Sequence, residues 1–126
     1  MITFFEPATI TAVDVLRLGP GPGGMMEWRV HAELATLGGQ AATEAASLLA
    51  RLPDADQARC FLPVYGMRLW TADGGSTEVA ICFRCNNGEY EGSLGSGWFT
   101  LDGAAPPARE LLDLLRSYDP DAAAQA

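Results

Sequence analysis

Hydrophobic and polar positions alternate most regularly in "MEWRVHAELAT", residues 26–36. Met26, Trp28, Val30, Ala32 and Leu34 fall on one face, and Glu27, Arg29, His31 and Glu33 on the other. A period of two marks a strand with one face buried and one solvated. Upstream, "ATITAVDVLRL" (8–18) is rich in Thr, Val and Ile and stops at "GPGPGG" (19–24). That tract reads as a loop, because proline removes backbone donors and glycine weakens a central strand. The two segments predict an antiparallel hairpin with one face in water. After Gly38-Gly39 the period lengthens, and Ala41, Ala45, Leu48, Leu49 and Leu52 make one apolar stripe of a helix over about 40–52. Pro53 ends it, and "PDADQAR" follows as a polar connector.

A second hairpin is expected from about Val64 to Thr71 and back from Thr77 to Asn86, with its turn at Asp73-Gly74-Gly75. Asn87-Gly88 is a pair that tolerates the positive φ angles of a type I′ turn, so it predicts a further reversal. A short strand, a Gly/Ser loop "GSLGSG" (92–97) and a last strand "WFTLD" (98–102) complete the region. Pro106 suits a first helical turn, and "PARELLDLLRSY" then places Leu111, Leu112, Leu114, Leu115 and Tyr118 along one flank. The order ββ-α-βββ-α predicts an α+β fold: a single antiparallel sheet with two helices packed on one face. It forms one domain over 1–118 with a frayed tail over 119–126.

At 126 residues and 48% hydrophobic content the chain can bury a core without disulfide or metal staples. Charge narrows the partners. Eight arginines, no lysine and 16 acidic residues give a formal net charge of -8. Such a surface repels phosphate backbones and has no basic run to offset this, which argues against nucleic acid; it suits a basic protein partner and serves simple solubility equally well. The N-terminus lacks the basic region of a signal peptide, and no apolar run approaches the ~20 residues that span a bilayer. A cytoplasmic location with no membrane partner is the resulting expectation. There, three cysteines stay reduced or bind metal, and their odd number resists a closed disulfide framework.

Cys82 and Cys85 form a C-x-x-C pair, joined at a distance by Cys60. On a regular strand their spacing of three splits them between two faces. Both can ligate one ion only if the strand ends near Phe83 and curls. Zinc takes four ligands, so Cys60, Cys82 and Cys85 need a fourth. His31, the single histidine, serves only if the first hairpin covers the Cys82 side of the second, and Asp56, Tyr65 or water are poorer substitutes. The competing reading has the cysteines as small buried hydrophobes. Thioredoxin-like redox use is disfavoured, because the residues after Cys85 predict a hairpin turn rather than a helix N-terminus. Catalysis by a Cys60–His31 or Cys82–His31 dyad is a third reading.

"CFLPVYG" (60–66), followed after one strand by "ICFRC" (81–85), resembles a group of small bacterial proteins of no assigned activity in which C-F-x-P-x-His-G and C-F-x-C segments recur as paired strands. The likeness runs over about residues 59–88, with a weaker one at Leu101-Asp102-Gly103. It implies a fourth ligand at the His position. That position is Tyr65 here, which counts against zinc and leaves a structural motif.

"GPGPGG" lacks the Gly-Lys-Ser/Thr of a phosphate loop, and the carboxylate pairs Asp54/Asp56, Glu89/Glu91 and Glu110/Asp113 read as solvated surface. Strand parity instead suggests an exposed cluster of Arg68, Trp70, Arg84 and Tyr90 or Trp98, residue types enriched at binding hot spots, unless a helix or the first hairpin covers that face. The leading expectation is a non-catalytic acidic module that binds another protein, an immunity or inhibitor protein being one form. A small zinc or thiol protein using Cys60, Cys82, Cys85 and His31 is the alternative.

Overall fold

The computed structural model describes residues 2–125. Two long strands, β1 (Ile10–Gly21) and β2 (Gly24–Gly38), are followed by helix α1 (Gly39–Ala50). Four shorter strands come next: β3 (Tyr65–Thr71), β4 (Ser76–Cys82), β5 (Asn87–Gly92) and β6 (Gly95–Thr100). Helix α2 (Pro106–Ser117) closes the order. All six strands join one antiparallel sheet in the order β2-β1-β3-β4-β5-β6, and both helices cover one face, so the α+β expectation holds. The second half carries four strands where the expected order has three.

Two local readings change. The reversal after β4 occupies residues 83–86, and the positive φ belongs to Asn86 (57°) rather than to Asn87-Gly88, which begin β5. "GSLGSG" is a tight hairpin and not a loop: Gly92 pairs with Gly95 across Ser93-Leu94. Both glycines have positive φ, which lets two strands turn in two residues.

The helix side holds the main core. Val13 and Val15 of β1, Met67 and Leu69 of β3, and Val79 and Ile81 of β4 meet Ala42, Ala45 and Leu49 of α1 and Leu111 and Leu115 of α2. Each Val, Leu, Ile or Met among them contributes about 1.5–3 kcal/mol by leaving water, and each alanine less. β1 is also apolar on its other face, through Leu16 and Leu18, which explains why "AVDVLRL" does not alternate.

The hairpin expected of β1 and β2 is longer than predicted, and it is bent. β1 pairs with β3 over Ile10–Arg17 and Leu18 N–H still donates to Val64 O (2.7 Å), but from Gly19 onward β1 pairs with β2 alone. A strand with one partner accommodates Pro20, so β1 runs into the proline-glycine tract and reverses at residues 22–23. Register shifts after Val15, Arg17 and Gly19 add twist, and the free arm curls over the second sheet face. Beneath it Leu16, Leu18, Phe61, Ala80, Cys82 and Cys85 form a second small core, with Trp28 and Val30 packed against it. Gly66 permits this closeness, since a Cβ there would meet Val79 O and the Leu18 side chain. Met26, expected inward with Trp28, is instead 62% exposed near the arm's tip.

Residue 118 is not the edge of the folded unit. Asp119 is buried, where it accepts hydrogen bonds from Tyr65 Oη (2.7 Å) and Arg17 Nη1 (2.8 Å).

Candidate functional site

One row of the second sheet face crosses every strand. Cross-strand register places Thr36 beside Asp14, Asp14 beside Arg68, Arg68 beside Glu78, Glu78 beside Glu91, and Glu91 beside Ser96. Asp14 is the pivot. Its Oδ1 accepts from Thr36 Oγ1 (2.8 Å), and its Oδ2 accepts from Arg68 Nη1 (2.9 Å) and Trp70 Nε1 (2.8 Å). Burial alone pushes this carboxyl's pKa up. The bonds from Trp70, Thr36 and Arg68 outweigh it and hold the group below the usual aspartate range. Arg68 also donates to Glu33 Oε1 (2.7 Å) and Glu78 Oε2 (2.9 Å). Burial opposes its charge, but these carboxylates raise its pKa above the ordinary arginine value.

Arg68 is thereby committed within the fold, and its side chain is only 16% exposed. Trp70 is committed to Asp14. Of the five side chains expected to cluster, only these two meet. Tyr90 lies on the helix face, its ring stacked on Phe4 with centroids 3.8 Å apart. Arg84 sits in the turn after β4, and Trp98 packs edge-on against Phe61 at 4.8 Å. The sequence correctly put Arg68 and Trp70 on one face, but parity could not reveal three carboxylates waiting there for one guanidinium.

The same face carries a groove of about 390 Å³ between the curled arm and the sheet. Glu27, Glu78, Glu89 and Glu91 line it against one cation, Arg29. Trp28 Nε1 donates to Glu89 Oε1 (2.8 Å) and pins the arm. Glu78 and Glu91 are direct cross-strand partners, an arrangement that costs stability where like charges face each other. Glu78 also accepts from Arg68, and Glu27 Oε2 accepts from Gly23 N–H (3.1 Å). At one end of the groove Met26 is exposed, and Trp98, half-exposed, is the cross-strand neighbour of Glu89. Glu89 and Glu91, expected to be ordinary surface, are thus brought into a shaped acidic channel. The available signal was their i, i+2 spacing; only the arm's curvature makes it a groove.

The cysteines depart from the expected reduced set. Cys60 and Cys85 form a disulfide, with Cα atoms 5.6 Å apart, and Cys82 is free and buried. The strand does end at Cys82 and curl, but the turn delivers Cys85 to Cys60 rather than to a shared ion. Ala58 N–H donates to Cys85 O (2.9 Å), and Asn87 Nδ2 donates to Cys60 O (2.8 Å), so the connector is bound to this turn on both sides of the bridge. Leu62 N–H points at Cys82 Sγ (3.4 Å). The first hairpin does cover the Cys82 side, yet it presents Trp28 and Val30. His31 lies on the opposite, exposed face of β2, with its ring over Gly19 and Nε2 3.2 Å from Pro20 O. Tyr65 points to the helix side, where burial and the Asp119 carboxylate raise its pKa to about 12. Cys60, Cys82, Cys85 and His31 are therefore not assembled as a ligand set. No group of three or more His, Cys, Asp or Glu side chains arranged to hold a metal occurs among the described residues.

No helix among the described residues is long and apolar enough to cross a membrane. Comparison with family models, with curated proteins and with solved structures finds no match for this chain.

Proposed function

We propose that this protein is a non-catalytic binding module that takes a basic segment of a partner protein into the groove beneath its curled arm. The observation that carries the reading is the groove's composition: four glutamates and one arginine, ending beside exposed Met26 and Trp98. Carboxylates supply steering and register for lysine or arginine side chains, while an aromatic and a methionine supply contact area. The net charge of -8 reinforces attraction at long range. Neutralising a basic toxin or enzyme, as an immunity or inhibitor protein does, is one concrete form. The Cys60–Cys85 bridge suits an oxidising compartment, where structural disulfides persist, rather than the expected cytoplasm.

The test is affinity capture from the native host on two columns, one bearing wild-type protein and one bearing a Glu91→Lys/Trp98→Ala variant. The expected result is a basic protein retained by the first and lost from the second. Its measured affinity should fall on the order of tenfold or more with the variant and decline steeply with salt. Equal retention on both columns, or no enriched protein, would rule the groove out.

A further inference from the structure

A second cavity lies at the other side of the hairpin tip, where the connector before β3, the turn after β4 and the last turns of α2 converge. It has a volume of about 340 Å³, within the range of small-molecule sites. Its wall is apolar, formed by Val64, Ile81, Phe83 and Leu112, and the polar groups that reach it include Arg84 and Arg116.

Its charges are the reverse of those in the acidic groove. Arg17 and Arg68 are each held by carboxylates, whereas Arg84 and Arg116 make no ion pair among the described residues. Arg29, Arg51, Arg59 and Arg109 also lack ion pairs among the described residues, but Arg29 and Arg51 line grooves that contain four and two glutamates respectively, and Arg59 is the single cation of its groove. No carboxylate lines the cavity with Arg84 and Arg116. In a chain with twice as many acidic as basic residues, two arginines line one apolar cavity. Tyr65 also lines it, but its hydroxyl is already given to Asp119, so the phenol adds ring surface and little hydrogen-bonding capacity.

An apolar cavity with two cations and no anion is complementary to a molecule with an apolar body and one negative end. Guanidinium groups suit carboxylates geometrically as well as by charge. We propose that this cavity binds a small amphipathic carboxylate, its apolar body against Val64, Ile81, Phe83 and Leu112 and its carboxylate between Arg84 and Arg116. The site is separate from the acidic groove, so it stands or falls independently of the protein-binding proposal.

Decanoate below its micellar concentration is the probe, with decanol and inorganic phosphate as comparisons, in calorimetric titrations of the intact, oxidised protein. Saturable 1:1 binding of decanoate is expected, with decanol and phosphate each at least tenfold weaker. Arg84→Gln/Arg116→Gln changes partly exposed side chains, should keep the wild-type circular dichroism, and should weaken decanoate at least tenfold. Leu112→Trp should block the cavity. If that variant unfolds, the arginine pair alone decides. The acidic-groove variant Glu91→Lys should bind decanoate as wild type does. Absence of saturable decanoate binding, decanol binding as tightly as decanoate, or binding indifferent to the two arginines would each overturn the assignment.

Discussion

The indole of Trp28 on β2 donates to the carboxylate of Glu89 on β5 at 2.8 Å, although β1, β3 and β4 lie between their strands in the sheet. The contact exists because the β1–β2 arm leaves the sheet and returns over its second face. That one curvature creates the second core, buries Cys82 and Cys85, and roofs the acidic groove.

Trp28→Phe keeps the ring but loses this bond, and should cost about 1 kcal/mol in urea unfolding. Trp28→Ala should cost about 2–3 kcal/mol, because the arm also loses its packing. In both variants amide exchange over residues 24–30 should accelerate more than in α1 or β3. Uniform acceleration across the chain would show that the arm does not move as a separate unit.

Arg68 balances the buried Asp14. Arg68→Met leaves that carboxylate without its countercharge and should destabilise by about 2–4 kcal/mol, somewhat below a fully buried pair because Glu33 and Glu78 are partly solvated. Asp14→Asn combined with Arg68→Met should cost less than the sum of the two single changes, as measured in a double-mutant cycle.

The disulfide predicts a thiol count. Denatured but unreduced protein should show one reactive thiol, Cys82, and three after reduction. Cys60→Ser should lower stability by about 2–4 kcal/mol, as expected for removal of a native bridge. A count of three before reduction would mean that the purified protein lacks the bridge.

Titration should weaken the fold at both ends of the pH scale. In Asp14 and Asp119 burial raises the carboxyl pKa, but hydrogen bonds and nearby arginine charge outweigh it and leave both depressed. Their stabilisation is therefore complete above the unfolded value of about 3.9 and is lost as pH falls through the lower folded values. Asp14→Asn should flatten the acid limb of the stability curve. Tyr65 behaves oppositely, since its folded pKa is raised to about 12. Its contribution is complete below the unfolded value of about 10 and is lost as pH rises through about 12. Tyr65→Phe should remove this alkaline loss, read from urea unfolding between about pH 10 and pH 12.

The sequence by itself determined the α+β class, the helices ending near Pro53 and beginning at Pro106, and the alternation of β2 from Trp28 to Leu34. Those features depend on neighbours a few residues apart, so periodicity and turn chemistry report them directly. It also put Arg68 and Trp70 on one sheet face. What only the tertiary structure decided depends on residues far apart in the chain. Pro20 reads as a strand breaker until β1 is seen to have one partner at that point. Cys82 and Cys85 read as a pair until the 83–86 turn sends Cys85 to Cys60. Glu89 and Glu91 read as surface until Trp28 reaches across three strands to roof them. In each case the deciding quantity is the curvature of the arm or the path of the connector. Both are set by register shifts and packing between distant segments, and local pattern carries no record of them.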